Sequence, residues 1–271
     1  MKPVKETSGT MHMLADLTWV EAREAIERGA GVLVPIGALE QHGPHLPLSM
    51  DALAVTEAAK AVAQRLDVLI APTISYGCRS KPLSGGGPAF PGGVGLEPRT
   101  YMALVENVVR ELLRSGFERI VVLSGHWENR QFTYEAVYQA RQPDDEGTAR
   151  VMVIESLYGD TVRKSTLDEI FGDDWPGLAR EHAAIVETSV LQHVRPELVR
   201  ADRSVDDAQE RFPWWDVVPA PPEFTTKTGV MWKATRATPE FGRKIWADVV
   251  EALTTAIDEE LFSGSRAHRA S

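Results

Sequence analysis

The sequence predicts an α/β fold: a single three-layer domain in which a central, mainly parallel sheet is flanked by helices. Two observations predict it. Short runs that are apolar at every position, rather than at every second one, alternate with helical stretches along the chain. Strands apolar on both sides belong to parallel sheets covered on both faces. Hydrophobic residues also make up 43% of the 271, enough for a sizeable core. No repeat or linker interrupts the pattern, so residues 1–271 read as one domain, with 1–12 and 263–271 expected to be flexible ends.

The elements follow in order. Thr18 to Gly29 reads as a capped amphipathic helix stopped by glycine. Gly31 to Ile36 is a short apolar strand, Asp51 to Leu66 an Ala-rich helix, and Val68 to Pro72 a second strand. Residues 74–97 hold so many glycines and prolines that they read as a long loop. Pro98 to Gly116 is amphipathic, with proline where a helix tolerates it best. Arg119 to Ser124 is a strand, Glu128 to Arg141 a helix and Arg150 to Glu155 another strand. Ala179 to His193 reads as helix, 212–224 as a loop rich in Pro and Trp, and Pro239 to Phe262 as the closing helix.

Bulk properties exclude some functions. A net charge of -10 argues against a nucleic-acid partner, which calls for clustered Lys and Arg. The one cysteine, Cys78, cannot form an intramolecular disulfide, which fits a reducing cytoplasm. The first residues lack the apolar core of a secretory signal, and no run approaches the roughly 18 apolar residues of a membrane span. The expectation is a cytoplasmic protein with a small-molecule ligand, no nucleic acid and no membrane.

Two strand ends carry the same kind of pair. Glu40-Gln41-His42 follows the first strand, and Gly125-His126-Trp127-Glu128 follows Arg119–Ser124. Open parallel sheets build their sites beyond such ends. In extended chain, residues two apart point to one side, so Glu40 with His42, and His126 with Glu128, can project together. Neighbouring strands lie about 4.8 Å apart, and the metals of a binuclear hydrolytic site about 3.5–4 Å apart. If the two strands are adjacent, the four side chains can hold a metal pair, with Asp51 bridging. Two divalent ions bring four positive charges; Glu40, Asp51 and Glu128 cancel three, and a bridging hydroxide the fourth. Imidazole with carboxylate suits zinc or manganese better than calcium or copper. Either pair alone is a weak signal, most often a surface motif. Gln41 and His45 read as groups that orient ligands, or, for His45, as loop packing.

The spacing E-x-H-x8-D, the segment SGHWENR and the later EHAAIVETS resemble the creatininase (creatinine amidohydrolase) family. KPLSGGGPAFPGGVGL is similar to that family's Gly-rich loop, and RFPWWDVVP and TGVMWKATRATPEFGRKI to its C-terminal portion. The resemblance runs from about residue 13 to 262 and implies a parallel-sheet α/β domain, commonly a homohexamer, with two divalent ions per chain, Zn2+ and/or Mn2+. It implies that Glu40 and His126 hold one ion, His42 and Glu128 the other, and that Asp51 bridges them. Alone, His182 reads more readily as a core histidine on a helical face with Ile185 and Val186. The resemblance makes it the acid that protonates the departing nitrogen, with Glu181 setting its tautomer and position. Ser84 becomes a substrate hydrogen-bonding group, and Trp127 stacks on a flat ring or merely packs.

The implied activity is metal-dependent hydrolysis of a cyclic amide C–N bond, most simply creatinine to creatine, by a metal-bridging hydroxide. Departures favour a close alternative. Leu178, and a position near Leu157, stand where the family's flap tryptophans are expected, with Trp175 close but offset. A different cyclic amide or a formamide is therefore the runner-up, and a non-catalytic ligand-binding α/β module the reading from another class.

Overall fold

Thr18 caps the first helix as its position predicts. The computed structural model describes residues 12–141 and 147–263. Of the ends expected to be flexible, only His12 and Ser263 fall among them, and Ile70 N donates to His12 O at 2.7 Å. In α1 (Trp19–Glu27) the Thr18 hydroxyl accepts from Glu21 N while the Glu21 carboxylate accepts from Thr18 N, a reciprocal capping box. Four strands follow the predicted spans closely: β1 (Gly31–Ile36), β2 (Val68–Ile70), β3 (Arg119–Ser124) and β4 (Arg150–Ile154). All pair in parallel, in the order β2-β1-β3-β4.

Every residue of β1 is buried, which is why the run shows no alternation. The alternation is in direction: Leu33, with Val121 and Leu123 of β3, packs under α2 (Met50–Ala63), α7 (Ile185–Val194) and α8 (Pro239–Ile257). Val32, Val34 and Ile36, with Ile120 and Val122, pack under α1, α4 (Pro98–Arg114) and α5 (Arg130–Arg141). Three layers result. The predicted loop 74–97 carries only the four-residue α3 (Pro82–Gly85) and a single 3-10 turn. No helix among the described residues is long and apolar enough to cross a membrane.

The structure departs from the sequence reading in three places. Helix α6 (Lys164–Phe171) lies in a stretch for which no element is predicted. Residues Trp127–Asn129 form a 3-10 turn before α5, so His126 and Glu128 do not share an extended chain. Helix α7 begins at Ile185 rather than near Ala179, which takes His182 off the helical face expected for it.

Helix α6 is tied to α8 through Asp248, whose side chain is buried. Its Oδ2 accepts from Arg163 N at 3.1 Å and from Thr166 Oγ1 at 2.6 Å, and its Oδ1 from Arg163 Nε at 2.6 Å. Burial opposes ionisation here, but these donors outweigh it and hold the carboxyl below its ordinary pKa. Removing the acceptor leaves the buried Thr166 hydroxyl without its partner, so Asp248→Ala is expected to cost about 2 kcal/mol. A denaturation midpoint unchanged from the wild type contradicts this.

Candidate active site

Strands β1 and β3 are neighbours, with Ile36 opposite Ser124. From β1 the chain goes to β2 on one side and to β3 on the other, so a crevice opens between the carboxyl ends of β1 and β3. The 37–49 loop leaves this point and returns as α2, whose first turn delivers Asp51. The positive end of the helix favours a carboxylate there.

Side chains from both strand ends meet at Asp51. Its Oδ1 lies 3.3 Å from His42 Nε2, and its Oδ2 lies 3.0 Å from His126 Nδ1. His126 Nδ1 is also 3.1 Å from Glu40 Oε2. His42 Nε2 lies 3.7 Å from Glu187 Oε2. The donor atoms fall into groups within 4.8 Å: Glu40-Asp51-His126, His42-Asp51-Glu187 and Glu40-His42-His182. Glu40, His42, Asp51 and His126 are all buried. His42 Nε2 and Asp51 Oδ2 meet only other members of this cluster and bond to nothing else among the described residues.

Glu128 stands differently from the pairing expected for it. It sits at the other edge of His126, with Oε2 3.3 Å from Nε2, and accepts from Ser84 Oγ. Glu187 is the second carboxylate at His42, beyond Asp51, and the sequence reading assigns it no role. Its signal was the acidic residue of EHAAIVETS, five positions after His182, which read as one more helical position.

Charge follows the geometry. Burial alone would lower the pKa of His42, but the Asp51 and Glu187 carboxylates outweigh it and raise it to about 10. His126 is likewise raised well above its ordinary value, against burial, by Glu40 and Asp51. Asp51 is held below the usual carboxylate range, its burial outweighed by the two histidines.

His182 lines the same cavity, its ring centroid 4.4 Å from that of His42. It precedes α7 in a turn where Ala183 takes φ 53, a left-handed conformation. Two carboxylates hold this turn against the start of the helix: Glu187 Oε2 accepts from Ala183 N at 2.6 Å, and Glu181 Oε2 accepts from Val186 N at 2.9 Å. These caps displace the helix start that periodicity predicts. Glu181 is buried, and burial, more than the nearby Glu187 charge, raises its pKa to about 8. Its recorded partner is the Val186 N–H, so it orders the His182 segment through the backbone.

Gln41 orients the His182 ring. Its amide nitrogen donates to Gly85 O at 2.9 Å and Gly229 O at 3.0 Å, spending both hydrogens, while its Oε1 accepts from Gly43 N. His182 Nε2, 2.8 Å from Gln41 O, therefore donates to that carbonyl. Nδ1 is the ring's other nitrogen, with Nε2 committed to this contact. The glycines are required: a Cβ on Gly85 would sit 1.9 Å from Glu40 Oε1, and one on Gly229 1.8 Å from Gln41 Oε1. His45 is held apart from the donor groups, its Nε2 2.8 Å from Thr188 Oγ1.

A cavity of about 280 Å3 opens over this cluster. Trp127, Phe212, Trp214 and Trp215 line it, as do Ser84, Leu157 and Leu178. Trp127 carries the Arg130 guanidinium over its ring at 4.7 Å. Trp175 packs against Phe171, with ring centroids 4.5 Å apart, and is not among the lining residues. The aromatic wall thus comes from the 212–215 loop, which Lys81 ties down through Asp216 at 2.8 Å.

Comparison with known proteins agrees with this architecture. The family model for creatininase, creatinine amidohydrolase, matches residues 15–257. The chain is 36% identical over 250 residues to a creatinine amidohydrolase of Pseudomonas putida, covering 91% of this chain and 96% of the relative. A solved structure described as "Creatininase Mn" superposes with a TM-score of 0.88 at 32% identity, over 93% of this chain and 100% of that one. A creatininase mutant of Zn-Zn type superposes with a TM-score of 0.89 at 32% identity, over 93% of this chain and 99% of that one.

Proposed function

We propose, from the premise that this chain belongs to the creatininase family of amidohydrolases, that it hydrolyses the ring amide of a small cyclic substrate, creatinine first, using two bound divalent ions. The observation that carries this reading is the buried donor cluster, in which two triads share Asp51 and two of their atoms, His42 Nε2 and Asp51 Oδ2, face only other members of the cluster. Buried polar atoms are costly unless something completes them, and imidazole with carboxylate suits zinc or manganese. The Mn and Zn-Zn descriptions of similar creatininases support the same choice. In this reading Glu40, Asp51 and His126 would hold one ion, and His42, Asp51 and Glu187 the other. Glu128 is the further carboxylate that the sequence pattern assigns to the pair.

When bound, the ions supply Lewis acidity, bringing the pKa of a water towards neutrality and polarising the scissile carbonyl. The chain supplies the rest. Trp127, Trp214 and Trp215 flank a flat ring, an arrangement aromatic faces favour. His182, fixed through Nε2, carries the transferable proton at Nδ1 and gives it to the leaving nitrogen as the C–N bond breaks. Glu181 and Gln41 hold that ring in place from opposite sides of the sequence. A cavity of about 280 Å3 favours a small ring over a long substrate. A binuclear site, a cytoplasmic location and a homohexamer go with this reading; the mass of the protein in solution tests the last.

A different cyclic amide or a formamide is the second reading. Leu178 and Leu157 on the cavity wall favour it, because the aromatic surface comes from another loop. Rates measured with creatinine, hydantoins, lactams and formamides on zinc- or manganese-loaded protein decide between the two. Metal-loaded protein that hydrolyses none of them contradicts both.

The raised pKa values of His42 and His126 have a measurable consequence. Cations entering the cluster expel the protons that His42 and His126 hold, so metal binding should tighten as pH rises. Calorimetry of zinc binding in buffers of different ionisation enthalpy reads the protons released. Affinity independent of pH, with no proton release, contradicts the assignment of these histidines.

A further inference from the structure

Tyr158 is a buried polar residue that the chemistry above does not use. It follows β4, lines the cavity beside Ser156 and Leu157, and is 9% exposed. Its hydroxyl is buried and has no hydrogen-bond partner. Buried phenols usually find one. Asp51, His182 and Glu187 line the same cavity, so Tyr158 shares it with the donor cluster.

The segment around it is braced. Ser156 Oγ donates to Tyr158 O at 2.9 Å and Thr161 Oγ1 to Leu157 O at 2.8 Å. Arg163, just beyond, is anchored on Asp248. The ring is therefore held ready, its O–H a donor with no acceptor among the described residues. A preorganised donor aimed at a reaction centre stabilises charge that develops there.

We propose that Tyr158 is a further catalytic residue: its hydroxyl donates a hydrogen bond to the scissile carbonyl oxygen as that oxygen becomes negative. This rests on the hydrolase reading above. A hydroxide, formed from a water that has released one proton to solvent, bonds to the carbonyl carbon, and the C=O π pair moves onto the oxygen that Tyr158 contacts. No proton leaves Tyr158. The pair returns as the C–N bond breaks, and the nitrogen takes its proton from His182.

The test is Tyr158→Phe, which keeps the ring and its packing, in protein loaded with zinc or manganese. Turnover of the best substrate of the panel should fall about 100-fold, the scale of losing one oxyanion donor. KM should stay within about twofold and metal content unchanged, because the contact belongs to the transition state. Acetohydroxamate, a small carbonyl probe bearing a second oxygen, should bind the wild type about tenfold more tightly than the variant, the scale of about 1.4 kcal/mol for one good hydrogen bond. Wild-type kcat in the variant, or a loss confined to KM, overturns the proposal while leaving the hydrolase reading intact. A wild type that neither hydrolyses the panel nor binds acetohydroxamate overturns both. If only binding is seen, equal affinities for wild type and variant overturn the role of Tyr158.

Discussion

Asp51→Asn is expected to lower turnover by about 10³-fold or more and to strip the protein of most of its metal, on the scale of losing a main electrostatic stabiliser. The two oxygens of Asp51 face different histidines, at 3.3 Å and 3.0 Å, and the residue belongs to both donor triads. Asparagine fills the same space but puts an N–H where one acceptor was and carries no charge. The rest of the site then holds cations with one negative charge fewer. The fold should survive, because helix α2, which carries Asp51, is anchored by Ala54, Val55, Ala58 and Val62, all buried. Steady-state kinetics, elemental analysis and circular dichroism on the same preparation check the three parts. A folded variant with wild-type turnover removes Asp51 from the centre of the site.

His182→Ala is expected to lower kcat by about 10²–10⁴-fold, the range for a lost general acid, while the bound metal stays. The ring lies on the cavity wall, and Gln41 fixes its Nε2. The leaving nitrogen of an amide is a poor leaving group until protonated, so the loss should shrink for substrates whose leaving nitrogen is less basic. Comparing variants on two such substrates separates an acid from a packing residue. An equal loss on both, or metal lost along with activity, contradicts the role given to His182.

The parts of the fold that could be read in the sequence are those that burial dictates. Strands β1 and β3 are buried along nearly their whole length, so their continuous apolar runs had one structural meaning. Helix α1 carried its own start signal in Thr18 and Glu21. The convergence of Glu40, His42, Asp51 and His126 followed from placing two like pairs at the ends of strands that proved to be neighbours. What periodicity could not show was the backbone before α7. Ala183 in a left-handed conformation and two carboxylates capping the helix depend on contacts across the turn, and hydrophobic spacing carries no trace of them. Glu187 escaped notice for the same reason: on a continuous helix it is one acidic residue among many, and only the turn brings it to His42. Asp248 and the helix it secures show the same limit, since its partners Arg163 and Thr166 lie more than 80 positions away.

The claim on which the rest depends is that the cluster around Asp51 binds cations. Metal per chain, counted by elemental analysis of the wild type and of Asp51→Asn purified side by side after exposure to zinc and manganese, tests it most directly. The account predicts about two equivalents in the wild type, as a two-metal site requires, and a clear loss in the variant. A wild type that retains none, or a variant that retains as much as the wild type, contradicts it.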